Sequence, residues 1–291
     1  MRSCSDGAGA VRARGPVMAL AGVLVAAAMA SCVRARLPKY QASDWGRASV
    51  AEGRRLFRAA CIGCHGEDGR AKVPAARVYF PRPRDLTKGE YRFRTTASGV
   101  IPQRDDLVRT IAMGLPGTAM PAWGEQLDAQ QLMSLALYVE TLSPRFQDED
   151  EAIEDDDILV HPGRLHPPLS STALIARGRD VYGRMKCADC HGAHGRGDGP
   201  SSKTTRNQDG TKSDVFDFTY GEFKGGNRAV DIYRTFMTGL DGTPMPSYAD
   251  SIPDKTDRWA LVYYVMSLRR PRGVWFYLSQ RPSWRDPADC D

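Results

Sequence analysis

Two pentapeptides, Cys61-Ile62-Gly63-Cys64-His65 and Cys187-Ala188-Asp189-Cys190-His191, carry the residues best suited to chemistry in this 291-residue chain. Two residues between the thiols let both sulfurs reach the vinyl-derived positions on one edge of a porphyrin. The adjacent histidine then turns its imidazole toward the iron, so the spacing is that of a covalent c-type haem attachment. A zinc site would need two further thiol or imidazole ligands per pair, and a thioredoxin-like redox pair has no use for a following histidine twice over. The expected cofactors are two covalently bound haems c, with Cys61, Cys64, Cys187 and Cys190 as attachment thiols and His65 and His191 as proximal iron ligands.

An iron held by one histidine needs its sixth position assigned, because an open site permits ligand chemistry while a thioether fills it and favours electron transfer. Met120 and Met245 are the expected ligands. They stand 55 and 54 residues beyond His65 and His191, in matching Thr-x-Met-Pro contexts. Met113, Met133, Met237 and Met266 fall in predicted helices and read as core. His194 lies too close to His191 to reach the opposite haem face, and His161 and His166 sit among linker prolines. Around these residues, the carbonyl near Pro74 or Pro200 is the expected acceptor for the proximal Nδ1 proton. Trp123 and Tyr248, each three residues past its methionine, are expected to point a polar edge at a haem propionate. Arg82, Arg84, Arg92 and Lys224 are candidates to neutralise propionate charge.

The elements that must position these groups recur as well. Gly53-Arg54 answers Gly178-Arg179, and Leu56-Phe57 answers Val181-Tyr182. Asp85-Leu86-Thr87 answers Asp217-Phe218-Thr219, and Gly114-Leu115-Pro116-Gly117-Thr118-Ala119-Met120-Pro121 answers Gly239-Leu240-Asp241-Gly242-Thr243-Pro244-Met245-Pro246. Between these two stretches the match shifts by seven residues, because Thr95 to Gln103 has extra length in the first half. Each copy reads as a helix beginning near Ser49 or Ala173 and ending at the haem motif, glycine- and proline-rich loops, a short helix (104–113 or 229–238), and a last amphipathic helix (129–142 or 255–268). First and last helices should cross. Few strands are expected.

With 42% hydrophobic residues, the chain suits two modest domains rather than one large one. Four of the seven cysteines are consumed by the haem motifs, and Cys4, Cys32 and Cys290 indicate no disulfide framework. Arg2, Arg12 and Arg14 precede an apolar run, Val17 to Ala30, too short to span a membrane comfortably, in the order of an export signal. Met29-Ala30-Ser31-Cys32 resembles a bacterial lipoprotein cleavage box, which makes Cys32 the expected lipidated first residue of a mature protein outside the cytoplasm. Net charge is +5, yet eight of the ten positions from Asp148 to Asp157 are acidic. Such a block stays solvated and reads as an interdomain linker. Nothing indicates nucleic-acid binding. The expected organisation is a signal segment (1–31), a first domain (39–145), an acidic and proline-rich linker (146–172), a second domain (173–270) and an aromatic, basic tail (271–291).

On Cys61, Cys64, His65 and Met120, and on Cys187, Cys190, His191 and Met245, the chain resembles the class I cytochrome c family in its diheme, tandem-domain form. The resemblance implies an all-α fold of two tandem cytochrome c-like domains, each a small helical fold wrapped around one covalent haem. It implies low-spin His/Met irons exchanging single electrons, no catalytic residue, and redox partners such as a membrane respiratory complex, a dehydrogenase or a small cytochrome. The protein is expected in the periplasm or on the outer face of a bacterial membrane. The competing reading is a diheme enzyme of peroxidase or thiosulfate-oxidising type, which requires one open or specially ligated iron.

Overall fold

Serine and aspartate caps start the helices that frame each half. In the first half, Ser49 accepts from the Glu52 N–H at 3.2 Å and opens α1 (Val50–Ala60), which runs into the one-turn α2 (Ile62–His65) carrying the cysteines. Pro74 then starts the short α3 (Pro74–Val78), Gln103 boxes with Asp106 at the start of α4 (Arg104–Met113), and Asp128 boxes with Gln131 at the start of α5 (Ala129–Glu140). The second half repeats the plan: α6 (Thr172–Arg184) capped by Ser171, α7 (Ala188–His191), α8 (Ala229–Thr238), and α9 (Lys255–Ser267) capped by Asp254. Pro200–Lys203 forms a 3-10 turn where the first half has α3. This computed structural model describes residues 46–220 and 222–269, all within one compact unit. The export-like segment with Cys4 and Cys32, and the tail 271–291 with Cys290, lie outside the described residues.

First and last helices cross as the pattern predicts, and glycine makes the crossing possible. A Cβ on Gly53 would stand 1.8 Å from the Ser134 carbonyl oxygen of α5, and one on Gly178 would stand 2.0 Å from the Ala260 carbonyl oxygen of α9. Around each crossing lies a core. Leu56, Phe57, Leu132, Leu135 and Val139 fill the first, and Val181, Tyr182, Trp259, Leu261, Val262 and Val265 the second. Among the described residues the only β pairings are two isolated bridges, Thr96 with Ile158 and Arg206 with Lys212, so this part of the chain is helical without strands.

The extra length at 95–103 packs the two halves together. Arg94 at its root is fully buried and bonds Asp241 of the second half at 2.8 Å, and Ser98 and Gly99 also donate to Asp241. Arg109 reaches across to the Gly225 carbonyl and the Asp231 carboxylate at 2.8 and 2.7 Å. The acidic segment is more ordered than its charge suggests. Its acids face solvent or pair, as Glu151 does with Arg145, but Ala97 N–H donates to Asp157 and Val160 N–H to Thr95. Val160 is buried in the second core. A few apolar residues after the acidic block supply the anchor that charge counting alone overlooks.

Candidate functional site

The proximal histidines are oriented by carbonyls on a distant return of the chain. His65 Nδ1 lies 3.2 Å from the Arg84 carbonyl oxygen, and His191 Nδ1 lies 3.2 Å from that of Phe216. A carbonyl only accepts, so Nδ1 carries the proton and Nε2 is left with its lone pair for a metal. The acceptors are therefore not near Pro74 or Pro200, which start a helix and a 3-10 turn instead. They precede the repeated Asp-x-Thr, whose aspartate pins the turn: Asp85 accepts from Thr87 N–H at 3.0 Å and Oγ1 at 2.6 Å, and Asp217 does the same with Thr219 at 2.7 Å each. Leu86 N–H donates to Gly69 at 2.8 Å and Phe218 N–H to Gly195 at 2.7 Å, closing the loop against the histidine segment. The repeat of this tripeptide was visible in the sequence; its task was not, because carbonyl direction leaves no trace in residue type.

The methionines sit on loops of identical construction. Leu115 N–H donates to the Met120 carbonyl at 3.0 Å and Leu240 N–H to that of Met245 at 3.1 Å. Thr118 Oγ1 bonds both the Leu115 carbonyl and the Met120 N–H, and Thr243 Oγ1 bonds the Leu240 carbonyl and the Met245 N–H. Gly114 and Gly239 open these loops at φ 61° and 69°, a left-handed conformation that favours glycine, with Pro121 or Ser247 backbone too close for any Cβ. Met133 and Met237 are buried core residues, as the helical pattern predicts. His194 and His166 are exposed and His161 is half-buried.

One cavity of about 520 Å³ gathers every candidate. Cys61, Cys64, His65 and Met120 line it together with Cys187, Cys190, His191 and Met245, so the crevices of the two halves open into each other. Burial draws both imidazoles below their ordinary pKa against the opposing carbonyl bonds, which keeps them neutral and able to ligate. Burial also lifts the Cys61 and Cys187 thiols to about 11, the reverse of what an activated redox nucleophile needs. Tyr248 lines the cavity too, and burial beside the Cys187 and Cys190 thiols raises its hydroxyl to about 12. Trp123 lines the cavity too, with its N–H backbone bonded to Ile111 at 3.2 Å.

Cations converge on the same space. Arg82, Arg84, Arg92 and Lys224 all line it. Burial, with Arg84 as a neighbouring positive charge, lowers the Arg92 guanidinium to about 10, and its Nε is buried without a protein partner. The Tyr91 hydroxyl is likewise buried and unpartnered. Buried donors rarely stay orphaned. Thiols and imidazole at one edge, a thioether-bearing loop, and unpaired donors at hand together fit an apolar macrocycle that carries carboxylates, which is a haem.

A helical fold, thiol pairs followed by histidines, and matched methionine loops define a haem-binding electron-transfer class. Comparison with known proteins agrees. Residues 48–139 match the family model described as cytochrome c oxidase, cbb3-type, subunit III, and residues 175–269 match the model described as cytochrome c. A chain of the Kuenenia stuttgartiensis reducing HAO-like protein complex is 38% identical with a TM-score of 0.69, over 75% of this chain and 96% of that one. The cytochrome bc1 complex cytochrome c subunit of Corynebacterium diphtheriae is 25% identical over 234 residues, 79% of this chain and 70% of the relative. The chain belongs to the c-type cytochromes and consists of two cytochrome c domains in tandem.

Proposed function

We propose that this protein relays single electrons through two His/Met haems, between a respiratory or dehydrogenase complex and an acceptor, as an electron carrier or an electron-transfer subunit rather than as an enzyme. The observation that carries the reading is the pairing of two identically built methionine loops with two identically oriented histidines around one continuous cavity. A bound haem supplies an iron that takes up and releases one electron at a time. The chain's own residues do the rest. Cys61 with Cys64, and Cys187 with Cys190, would hold the porphyrin edge; His65 and His191 would present Nε2, with Nδ1 kept on a carbonyl; and Met120 and Met245 would close the sixth position. Arg84 and Arg92 would take up carboxylate charge, and the apolar lining would exclude water, which limits reorganisation when charge moves.

Membership of respiratory or oxidoreductase complexes among the relatives supports a complex as partner. The lipoprotein-like Met29-Ala30-Ser31-Cys32 supports a lipid anchor at Cys32 and a site in the periplasm or on the outer membrane face. Spectroscopy of the oxidised protein tests the core of the proposal: both irons low-spin, no reaction with carbon monoxide at neutral pH, and a methionine-to-iron charge-transfer band that Met120→Ala and Met245→Ala each diminish. Peroxide turnover with one high-spin haem would overturn it in favour of an enzyme. Loss of membrane association in Cys32→Ser tests the anchor.

A further inference from the structure

The first domain reaches into the methionine loop of the second. Arg94 is fully buried and is fastened on its own side by Nε to the Ala97 carbonyl at 3.0 Å and Nη1 to the Tyr91 carbonyl at 3.2 Å. Its Nη2 crosses to the Thr238 carbonyl at 2.9 Å and the Asp241 carboxylate at 2.8 Å. Thr238 ends α8, so this is one of the helix-end carbonyls that lack an intrahelical partner. Asp241 stands four residues before Met245. Its other donors also come from the first domain, Ser98 Oγ at 2.8 Å and Gly99 N–H at 3.2 Å. Thus one carboxylate in the loop collects three donors, from Arg94 at the root of the first domain's extra length and from Ser98 and Gly99 within it.

The first methionine loop has no such fastening. The place of Asp241 is taken there by Pro116, which carries no side-chain acceptor, and the place of Thr238 by Met113. Among the described residues, Gly114 to Pro121 makes hydrogen bonds within the loop and none to the second domain. Two loops of the same internal design are therefore held by different means.

We propose that Arg94 and Asp241 are positioning residues for the second iron site: the first domain holds the loop that keeps Met245 over the crevice of His191, so sixth-position ligation there depends on domain docking, whereas ligation by Met120 does not. This rests on the reading of Met245 as an axial ligand. Loop release is a local opening, and its free energy is raised by every bond the loop must break. Hydrogen bonds to charged groups are the costly ones to break, and one such bond corresponds to roughly a tenfold change in the open population.

The test uses the full-length, haem-loaded protein with imidazole as a competing sixth ligand. Asp241→Ala is expected to bind imidazole roughly tenfold more tightly at one iron, to weaken the methionine charge-transfer band, and to lower the reduction potential of that iron alone. Arg104→Ala, which breaks only the surface pair with Glu140 at 2.7 Å, should change none of these. An Asp241→Ala protein with unaltered imidazole affinity and potential would overturn the proposal. Met245→Ala separates it from the underlying reading: if that variant keeps the full charge-transfer band, the ligand assignment fails whatever Asp241→Ala does. Should Asp241→Ala not fold, hydrogen exchange in the wild-type protein decides. The Leu240 amide, bonded to the Met245 carbonyl, is expected to exchange more slowly than the Leu115 amide bonded to that of Met120, and equal or faster exchange sinks the idea.

Discussion

The walls of the two crevices differ more than their frames do. Arg84 and Phe216 occupy the same place, each lending its carbonyl to a histidine, yet one side chain is a cation and the other a benzene ring. Tyr91 faces Phe223 across the repeat, Leu86 faces Phe218, and Arg92 faces Lys224. The first wall thus holds two guanidiniums and a phenol. The second packs Phe216, Phe218 and Phe223 at 5.5 to 6.2 Å, stacks Phe218 on His191 at 4.3 Å, and neutralises Lys224 with Asp214 at 2.7 Å. Backbone hydrogen bonds hold the histidine and methionine segments in both, so side chains around them were free to diverge. Histidines held alike in unlike surroundings are how one fold can obtain two electron affinities.

The largest effect should strike both halves equally and so test the common frame. Gly53→Ala and Gly178→Ala each force a Cβ onto helix backbone, and each should cost about 3 kcal/mol or more in thermal unfolding. If one melts like the wild type, the two crossings are not equivalent. Next, Arg84→Leu should lower the potential of the first site by roughly 60 mV, a tenfold shift for one electron, since a nearby cation favours the reduced iron. Phe216→Leu should leave the second site nearly unmoved, as redox titration of both variants will tell. Smaller again, Phe218→Leu copies the first site's residue into the second and removes the stack on His191, at about 1 kcal/mol by chemical denaturation.

The last effect is a slope rather than a level. Burial raises Asp106 to about 6 against the bonds from Thr95 and Gln103, above the ordinary carboxylate value it regains on unfolding. The folded state therefore binds the proton more tightly. Its contribution to stability is complete below the unfolded pKa and is lost as pH rises through about 6. Asp106→Asn should flatten that part of the stability profile, measured as unfolding free energy between pH 4 and pH 7, both bounds being approximate. Asp231, its counterpart, is instead held by Arg109 and Arg228.

Much of the frame could be read from periodicity and caps. The expected helices at 104–113 and 229–238 coincide with α4 and α8, and the expected last helices overrun α5 and α9 by only a residue or two, where Thr141 and Leu268 cap them. The motif cysteines, histidines and loop methionines, singled out by spacing alone, line one cavity. What spacing could not supply was partnership across long stretches of chain. The Nδ1 acceptors return 19 and 25 residues after their histidines. Val160 was hidden behind an acidic block, and Arg94, an ordinary charged residue by composition, is wholly enclosed, with the carboxylate that pairs it lying in the other domain.

The inserted stretch from Thr95 to Gln103 also bears on inheritance. A protein assembled by doubling one fold starts as two spare parts, either of which could be moved, repeated or lent to another gene. Once one copy grew a loop rooted on a cation that its sibling satisfies, that freedom ended. The first copy, taken alone, would carry a guanidinium stripped of its carboxylate, and the second would lose the fittings on its methionine loop. The order of the copies became part of their chemistry, and later rearrangement by splitting the gene would first have to undo seven added residues.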